Sequence, residues 1–359
     1  MKGYIVLETG EIFEGELLGD QKQVHGEIVF FTGMTGYQEV MTDPSFKGQM
    51  VVFTYPLIGN YGVNHLDHES KHSQAAAIIV HQLSNQGYHY DANNTLSDCC
   101  KENGTPLLTG VDTRAIVKRI REKGDMRAIL TTDLKDVDFT IIPNLADQDV
   151  VAEVSIPKKI ELGSGDHHIV LLDFGYKKSI VDQLLELKCK VTIMPYDSSF
   201  EEIEEMKPDG VLLSNGPGNP KKLTDLLPTI KKIAIRFPTL GICLGHQLLA
   251  LAFGADTEKL RFGHRGANQP VIDCVTNKVY MTSQNHSYVV KPQSLEYTGF
   301  KPKFININDQ SIEGLLHKEL PIITLQFHPE AHPGPSDSAH YFTDFIEMVE
   351  KKGREKTYA

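Results

Sequence analysis

Cysteine is scarce in this sequence and is never closely paired. The 359 residues include five cysteines, none of them in a CxxC arrangement, so neither a disulfide framework nor a zinc site is expected. Cys99 and Cys100 are adjacent, while Cys189 and Cys274 lie in apolar contexts and are expected to be core thiols. Such cysteine usage is typical of a protein that works in a reducing cytoplasm.

Long apolar runs and an excess of positive charge are also missing. No apolar stretch approaches the ~20 residues of a membrane-spanning helix, and the opening MKGYIVLETG is too polar for a signal peptide and predicts a strand. The chain has 36 Lys and Arg against 47 Asp and Glu, a formal net charge of −11. That charge argues against nucleic acid or an anionic membrane as the main partner. No GxxxxGK[ST] loop occurs, so no self-sufficient ATP site is expected.

The pattern of apolar runs predicts a first domain over residues 1–160. Its short runs are separated by Gly, Asp, Asn and Pro, a pattern that predicts a β-rich α/β domain with few helices. Its clearest helix has Asp112 as the N-cap and stops at Gly124. The polar segment 156–166 is typical of a linker.

Residues 161–359 form a second predicted domain with a different pattern. Strand-like and helix-like runs alternate after His168, which predicts a doubly wound, mostly parallel sheet with helices on both faces. The shorter runs between residues 269 and 327 predict an antiparallel extension, and residues 336–351 predict a C-terminal helix.

Two polar features of the first domain are candidate ligand contacts. Ser45 follows an Asp-Pro pair in a glycine-rich stretch and is a candidate contact to a ligand held by the second domain, although these glycines can also serve turns alone. His65, His68 and His72 lie in a loop-like segment without a rigid helical or strand face. A solvated loop is therefore favoured there, and no metal site is expected.

One stretch of the second domain combines a thiol with a sharp turn. Residues 238–255 read PTLGICLGHQLLALAFGA, in which an apolar run ends at Ile242, before Cys243. Gly241 and Gly245 flank the cysteine and allow a sharp bend and a close approach of substrate. The amides and dipole at the start of the following helix favour the thiolate, which is the reactive form. A catalytic cysteine and a buried structural cysteine both fit this stretch taken alone.

A second stretch supplies a base for that cysteine. Residues 322–330, IITLQFHPE, form a strand-like run that ends in His328, Pro329 and Glu330. A cysteine nucleophile needs a base that accepts and returns its proton, and the base needs a partner that fixes its tautomer. Because sites form where the carboxyl ends of parallel strands meet, we expect His328 and Glu330 to lie near Cys243.

A glycine-rich loop completes the candidate site. Residues 214–220, SNGPGNP, follow a predicted strand of the same sheet. Their glycines can expose backbone amides to an oxyanion that develops beside the cysteine.

These three motifs together resemble those of the class I, triad-type glutamine amidotransferases. In the first domain, FFTGMTGYQEVMTDPSFKGQ, TYPLIGNYGVN and TGVDTRAIVKRIREKG are similar to the amino-terminal domain of the carbamoyl phosphate synthetase small subunit. The resemblance covers essentially the whole chain. It implies a swivelling β/β/α-like first domain that docks the large subunit and closes over the glutamine site, followed by a class I amidotransferase domain.

The resemblance implies a role for each residue that matches the family's motifs. Cys243 would be the nucleophile, His328 the general base and acid, and Glu330 its orienting partner. Backbone amides of Gly216 and Leu244 would form the oxyanion hole. The glutamine contacts would come from Ser45, Gly216, Gly218, Leu244, Gln247, Asn285, Ser287 and Tyr288. The family usually has glycine where Ser287 stands, and a contact there that needs positive φ would cost serine about 1 kcal/mol or more.

The resemblance also implies partners and a compartment. L-Glutamine would be hydrolysed through a γ-glutamyl thioester, and the ammonia would pass through a shielded path to a large subunit. That subunit would bind bicarbonate and ATP with magnesium, so no cofactor is expected in this chain. We expect a cytoplasmic heterodimer, or a higher oligomer of heterodimers, whose carbamoyl phosphate serves arginine synthesis, pyrimidine synthesis or both.

Three other functions stay open on the sequence alone. One is the amidotransferase subunit of another synthase, such as one that makes guanylate or anthranilate, although the first domain argues against it. Another is a free-standing γ-glutamyl hydrolase, whose isolated turnover would equal that of any complex. The third is a regulatory subunit with a dead site, which the complete set of Cys, His and Glu positions disfavours.

Overall fold

The computed structural model describes residues 1–357, and the chain divides into two compact units. The first unit contains Met1–Val150 and Leu260–Gly266, and the second contains Val151–Lys259 and Ala267–Ala359. The chain thus leaves the first unit at Val150, before the boundary at residue 160 that we predicted. The return of residues 260–266 to the first unit was not anticipated from the sequence.

The first unit is built on a closed β-barrel, whose strand order is β1-β2-β8-β6-β4-β3-β9. This confirms the β-rich α/β character predicted for it. The strands of this unit are β1 (Lys2–Leu7), β2 (Ile12–Leu18), β3 (Gln23–Phe31), β4 (Gln49–Phe53), β5 (Leu57–Ile58), β6 (Ala77–Ile79), β7 (Gln82–Leu83), β8 (Leu107–Thr109) and β9 (Met126–Thr131), and its α-helices are α1 (Tyr37–Thr42), α2 (Leu96–Glu102) and α3 (Thr113–Lys123).

Side-chain alternation along β3 divides the apolar residues of this unit between two cores. Ile28 and Phe30 join one buried cluster, which also contains the inward face of α3. Val29 and Phe31 point the other way and join a cluster that contains residues of α1 and α2. This two-residue period is what a barrel wall with both faces covered requires.

Helix α3 begins and ends where the sequence predicts. The side chain of Asp112 accepts a hydrogen bond from the amide of Ala115 at 2.9 Å, which satisfies one of the unpaired donors of the first turn. Gly124 follows the last turn at φ 102°, a backbone conformation that favours glycine. A Cβ atom at Gly124 would also lie 2.7 Å from the carbonyl oxygen of Arg261.

The returning segment 260–266 is held by a buried ion pair. Arg265 Nη1 lies 3.1 Å from Asp125 Oδ2, and the two side chains are 1% and 0% exposed. The amide of Asp125 donates to the carbonyl of Arg261 at 2.9 Å, and the rings of Phe30 and Phe262 are 5.9 Å apart. Charge, backbone and apolar contacts therefore all fix this segment in the first unit.

The second unit contains a ten-stranded sheet of order β10-β12-β11-β13-β14-β19-β18-β17-β15-β16. Its strands are β10 (Ile160–Leu162), β11 (His167–Asp173), β12 (Cys189–Pro195), β13 (Gly210–Leu213), β14 (Thr239–Ile242), β15 (Thr257–Asp273), β16 (Val279–Val290), β17 (Phe300–Asn306), β18 (Ile312–His317) and β19 (Ile322–Leu325), and its helices are α4 (Lys178–Glu186), α5 (Phe200–Glu205), α6 (Leu227–Arg236), α7 (Leu244–Ala252) and α8 (His340–Thr357).

The sheet is mixed, and it confirms the predicted parallel core with an antiparallel extension. The run β12-β11-β13-β14-β19 is parallel, and the strands from β18 onwards pair in antiparallel fashion. Residues 160–162, which we assigned to a linker, instead pair with β12 at the opposite edge. Cys274, which we predicted to be a core thiol, is exposed, because it lies in the turn after β15.

Helices cover both faces of this sheet. Ile169 and Leu171 of β11 pack in one cluster with residues of α4 and α8. Val170 and Leu172 of the same strand pack in another with residues of α6 and α7. A strand buried on both faces reads as a continuous apolar run, and this is what residues 169–172 show. Within the part of the chain that is described, no helix is both long and apolar enough to cross a bilayer.

Replacing Arg265 by methionine should destabilise the first unit, because it leaves the buried Asp125 carboxylate without this cation. We expect a loss of about 3–5 kcal/mol in the free energy of unfolding. The chain has no tryptophan, so urea unfolding followed by circular dichroism is the suitable measurement. Arg119→Met is the matched control, because Arg119 pairs at the surface with Glu11 and Glu122 and should change stability by about 0–1 kcal/mol. Equal effects of the two variants would contradict this account.

Candidate active site

Cys243 lies at the sharp turn between β14 and α7 in a strained backbone conformation. Its φ and ψ are 52° and −102°, and it is the N-cap of α7. A residue other than glycine in this region costs of order 1–3 kcal/mol, and such strain concentrates at functional sites. The cysteine amide donates to the carbonyl of Leu325 at 2.7 Å, which continues the β14–β19 pairing to the turn and holds Cys243 there.

Glycines let the loop after β13 pack directly against this turn. A Cβ atom at Gly245 would lie 2.3 Å from the carbonyl oxygen of Leu213, and one at Gly216 would lie 2.1 Å from that of Phe174. Both positions therefore exclude any side chain. The amide of Gly245 donates to the carbonyl of Ser214 at 3.1 Å, which joins the SNGPG loop to the start of α7.

The two predicted oxyanion donors are brought together by this packing. A Cβ atom on Gly216 would lie 2.9 Å from the Leu244 side chain, so the two residues are close neighbours. Among the described residues, none accepts a hydrogen bond from the amide of Gly216 or Leu244. Two adjacent amides available beside a nucleophile are the arrangement that stabilises a tetrahedral oxyanion.

Polar contacts fix α7 against β19, the strand that leads to the predicted base. His246 Nδ1 lies 2.7 Å from Thr324 Oγ1, and Gln247 Nε2 donates to Gln326 Oε1 at 3.0 Å. His246 is completely buried, and this burial lowers its pKa to about 3, so it contributes to the site as a neutral side chain. The helix that begins after Cys243 and the strand that ends before His328 are thus held together.

His328 and Glu330 form a buried pair across Pro329. His328 Nδ1 lies 2.6 Å from Glu330 Oε1, and the two side chains are 2% and 0% exposed. The amide of His328 donates to the carbonyl of Ser283 at 2.9 Å. Since Nδ1 is engaged, Nε2 is the ring atom left for proton transfer, and it has no hydrogen-bond partner in the described chain. The carboxylate therefore fixes the orientation and the tautomer that a general base needs.

The thiol of Cys243 lies near enough to the His328 ring to influence its charge. Burial lowers the pKa of His328, but the charge of Glu330, the nearby thiol of Cys243 and the hydrogen bond with Glu330 outweigh it and raise the pKa. The sulfur itself donates to the carbonyl of Asn285 at 3.6 Å. A cationic imidazole beside a cysteine stabilises the thiolate, and catalytic hydrogen bonds often tighten only when substrate binds.

Lys177 is a third member of this buried chain of charges. Its Nζ lies 3.1 Å from Glu330 Oε1, with the lysine side chain 3% exposed, and it donates to the carbonyl of Ala331 at 2.7 Å. Burial raises the pKa of Glu330, but the charges of Lys177 and His328 outweigh this and hold the pKa below its usual range. Glu330 is therefore ionised, and its carboxylate contacts both Lys177 and His328.

Sequence reasoning missed Lys177 and the residues that place it. Lys177 follows β11, so it lies at the same carboxyl edge as Cys243, and its amide donates to Asn215 Oδ1 at 3.1 Å. Asp173, also buried, accepts hydrogen bonds from the amides of Gly175 and Tyr176 at 2.8 Å each. The signal available in the sequence was a lysine that closely follows a buried strand, since residues after the carboxyl ends of parallel strands lie near the site.

The structure gathers most of the predicted glutamine contacts in the second unit. Gln247 Nε2 donates to the carbonyl of Tyr288 at 2.9 Å, so its amide nitrogen is engaged and its oxygen is the atom left for substrate. Asn285 presents its carbonyl to Cys243, as described above. Gly218 has φ 88° in the loop after β13. The roles of these residues in binding glutamine are predictions.

Two of the predicted contacts differ from the rest. Ser287 lies within β16 and is not among the residues with positive φ, so serine at this position carries no backbone strain of that kind. Ser45 lies in the first unit, in the turn Pro44–Phe46, where its amide donates to Asp43 Oδ1 at 2.8 Å. Its contact to a ligand stays a prediction.

In the histidine-rich segment, the Nδ1 atom of His68 lies 2.8 Å from the Nε2 atom of Gln38.

Comparison with known families agrees with the two-unit fold. Residues 170–348 match the family described as glutamine amidotransferase class-I, so the second unit belongs to that class of protein. Residues 5–130 match the family described as carbamoyl-phosphate synthase small chain, CPSase domain. The chain therefore belongs to the family of carbamoyl phosphate synthase small chains.

Curated relatives cover the full chain. The arginine-specific small chain of carbamoyl phosphate synthase from Halalkalibacterium halodurans is 63% identical, over 100% of both chains. The arginine-specific small chain from Bacillus subtilis is 53% identical, again over 100% of both. The carbamoyl phosphate synthase small chain from Listeria monocytogenes is 45% identical, over 100% of this chain and 99% of that one.

Replacing Lys177 by methionine should shift the pH dependence of glutamine hydrolysis. The lysine charge lowers the pKa of His328, so its removal should raise that pKa. Because deacylation needs a neutral imidazole, the acidic limb of the kcat profile should move to higher pH, with a loss of about tenfold near neutral pH. The measurement is glutaminase kcat as a function of pH.

The neighbouring residue offers a matched control for that experiment. Lys178 pairs with Asp182 at the surface and is 56% exposed, so Lys178→Met should keep the parent profile. Identical pH profiles for the two variants would show that the buried lysine does not act on the histidine.

Replacing Ser287 by glycine should leave the KM for glutamine within about twofold of the parent value. The residue has no positive φ that would favour glycine, so a contact through its backbone is available to either residue. Steady-state glutaminase assays give the value. A KM that falls strongly in the variant would show instead that the serine side chain obstructs the substrate.

Proposed function

We propose that this chain is the glutamine-hydrolysing subunit of a carbamoyl phosphate synthase. The observation that carries the proposal is the buried His328–Glu330 pair next to Cys243, within a chain that belongs to the small-chain family. The proposed substrate is L-glutamine, and the products are glutamate and ammonia. The names of the relatives from H. halodurans and B. subtilis favour a synthase that serves arginine synthesis.

The reaction begins with attack of the Cys243 sulfur on the side-chain amide carbon of glutamine. The carbonyl oxygen becomes an oxyanion, which the amides of Gly216 and Leu244 stabilise by hydrogen bonds. His328 then donates a proton from Nε2 to the departing nitrogen, because an amide anion cannot leave at neutral pH. Ammonia and a γ-glutamyl thioester on Cys243 result.

The second half of the reaction releases glutamate. His328, now neutral, accepts a proton from water, which attacks the thioester carbon and restores the thiolate as the carbon–sulfur bond breaks. Glu330 holds the imidazole in one orientation during both proton transfers, and its negative charge stabilises the imidazolium. Lys177 keeps Glu330 ionised throughout, so the carboxylate orients the ring without taking up its proton.

Ammonia must then reach a second active site without mixing with bulk water, where it would be protonated and lose its nucleophilicity. In this proposal the acceptor is a large subunit that binds bicarbonate and ATP with magnesium, and this chain needs no cofactor of its own. The proposed assembly is a heterodimer, or an oligomer of heterodimers, and its proposed location is the cytoplasm.

A Cys243→Ser variant assayed with the large subunit tests this function. We expect glutamine-dependent carbamoyl phosphate synthesis to fall by at least about a thousandfold, because the serine hydroxyl is a much weaker nucleophile here. Ammonia-dependent synthesis should remain at the parent rate. Cys274→Ser, at an exposed thiol, is the control and should retain both activities.

Two outcomes would count against the proposal. Equal loss of glutamine-dependent and ammonia-dependent synthesis would contradict a role confined to supplying nitrogen. An isolated chain whose glutaminase turnover matches that of the complex would favour a free-standing γ-glutamyl hydrolase.

A further inference from the structure

Helix α3 concentrates positive charge in a chain that is otherwise acidic. Its eleven residues, TRAIVKRIREK, carry five cations and one carboxylate, whereas the whole chain has a formal net charge of −11. Thr113, Ile116 and Ile120 are the buried residues of the helix, so Arg114 and Lys118 project from its other side and are exposed. Such a local reversal of charge marks a surface for an acidic partner.

Four of the five cations of α3 fall into two groups. Arg119 is neutralised at the surface, with Glu11 at 2.6 Å and Glu122 at 2.9 Å. By contrast, no carboxylate of the described chain pairs with Arg114 or Lys118, and the guanidinium of Arg121 lies 5.8 Å from the ring centroid of Phe262. Within the described chain, Arg119 is therefore ion-paired, whereas Arg114, Lys118 and Arg121 have no carboxylate partner.

The three unbalanced cations line one open groove of about 860 Å³. We call this the cationic groove, and its walls are completed by Thr54, Pro56, His81, Gly110, Asp112, Thr113 and Val117. Asp112 is the one acidic residue of the lining, and its side chain caps α3 through the amide of Ala115. A concave surface focuses the field of its charges, and this groove is larger than a small inorganic anion needs.

The location of the groove indicates which partner it fits. All of its lining residues lie within residues 5–130, the part that matches the domain named for the carbamoyl phosphate synthase small chain. Cys243, His328 and Glu330 lie instead in the part that matches the broader amidotransferase class. The first unit, which carries the groove, is therefore the part that distinguishes this chain from other amidotransferases. We expect the surface that recognises its specific partner to lie in the same unit.

We propose that the cationic groove docks an acidic surface of the large subunit, with Arg114 and Lys118 as its main electrostatic contacts. This inference rests on the proposed function, because it needs a large subunit as the partner. Carboxylates of that subunit would pair with the two cations, and Val117 and Pro56 would supply apolar contact between them. Complementary charges of this kind raise the association rate and fix the orientation of docking.

A charge-reversal pair tests the proposal. The Arg114→Glu/Lys118→Glu variant should bind the large subunit at least about tenfold more weakly at low salt. The difference should shrink as salt is added, because salt screens exposed charges. Lys71→Glu/Lys135→Glu is the matched control, since it makes the same change in net charge at two exposed lysines of the first unit that lie outside the groove. It should bind within about twofold of the parent.

Glutaminase activity of the isolated chain separates this proposal from the proposed function. Both double variants should keep the parent glutaminase rate, because neither changes the catalytic unit. Equal large-subunit affinity of the two double variants would overturn the docking proposal alone. A parent chain that neither hydrolyses glutamine nor binds the large subunit would overturn the proposed function instead.

Cross-linking gives an independent measurement that needs no variant. A carbodiimide joins an amine to a carboxylate only where the two are in contact. In the complex of parent chains, Lys118 should be cross-linked to an Asp or Glu of the large subunit, while Lys71 and Lys135 should not. A complex in which Lys118 is as reactive towards small acylating reagents as in the free chain would contradict the proposal.

Discussion

The buried contact between His328 and Glu330 is the interaction on which the catalytic unit depends. A carboxylate that is removed from water is unstable unless cations and hydrogen bonds compensate it. Glu330 is compensated on one side by His328 at 2.6 Å and on the other by Lys177 at 3.1 Å. Lys177 and His328 both stabilise the ionised form of Glu330, and Glu330 in turn stabilises the charged imidazole. The Nδ1 atom of His328 is thereby held in place, and its Nε2 atom is left for the proposed proton transfers.

Backbone geometry at the sheet edge brings the proposed nucleophile, Cys243, near that imidazole. The parallel pairing of β14 with β19 places the turn at Cys243 beside the residues that follow Leu325. The positive φ of Cys243 is tolerated because neighbouring contacts determine it: the hydrogen bond from its amide to the carbonyl of Leu325, the close packing of Gly245 on β13, and the contacts of α7 with β19. Strain at a nucleophile held by its surroundings is a form of pre-organisation.

The sequence was most informative where the determinants are local. Three features could be predicted because they depend on residues that are close in sequence. They are the caps of α3, the sharp turn around Cys243 and the two-residue spacing of His328 and Glu330. Lys177 was missed because its burial depends on a contact with Ala331, 154 residues further along. The return of residues 260–266 and the pairing of residues 160–162 with β12 were missed for the same reason, since neither pattern differs locally from a strand or a polar linker.

The proposed reaction depends on covalent catalysis at the sulfur of Cys243, and trapping the γ-glutamyl intermediate tests this most directly. The parent chain would be mixed rapidly with glutamine, quenched in acid and digested, and its cysteine peptides would be weighed by mass spectrometry. We predict a γ-glutamyl adduct on the peptide that contains Cys243 and on no other cysteine peptide. Glutamine hydrolysis at the full rate without an adduct on Cys243 at any quench time would contradict the account.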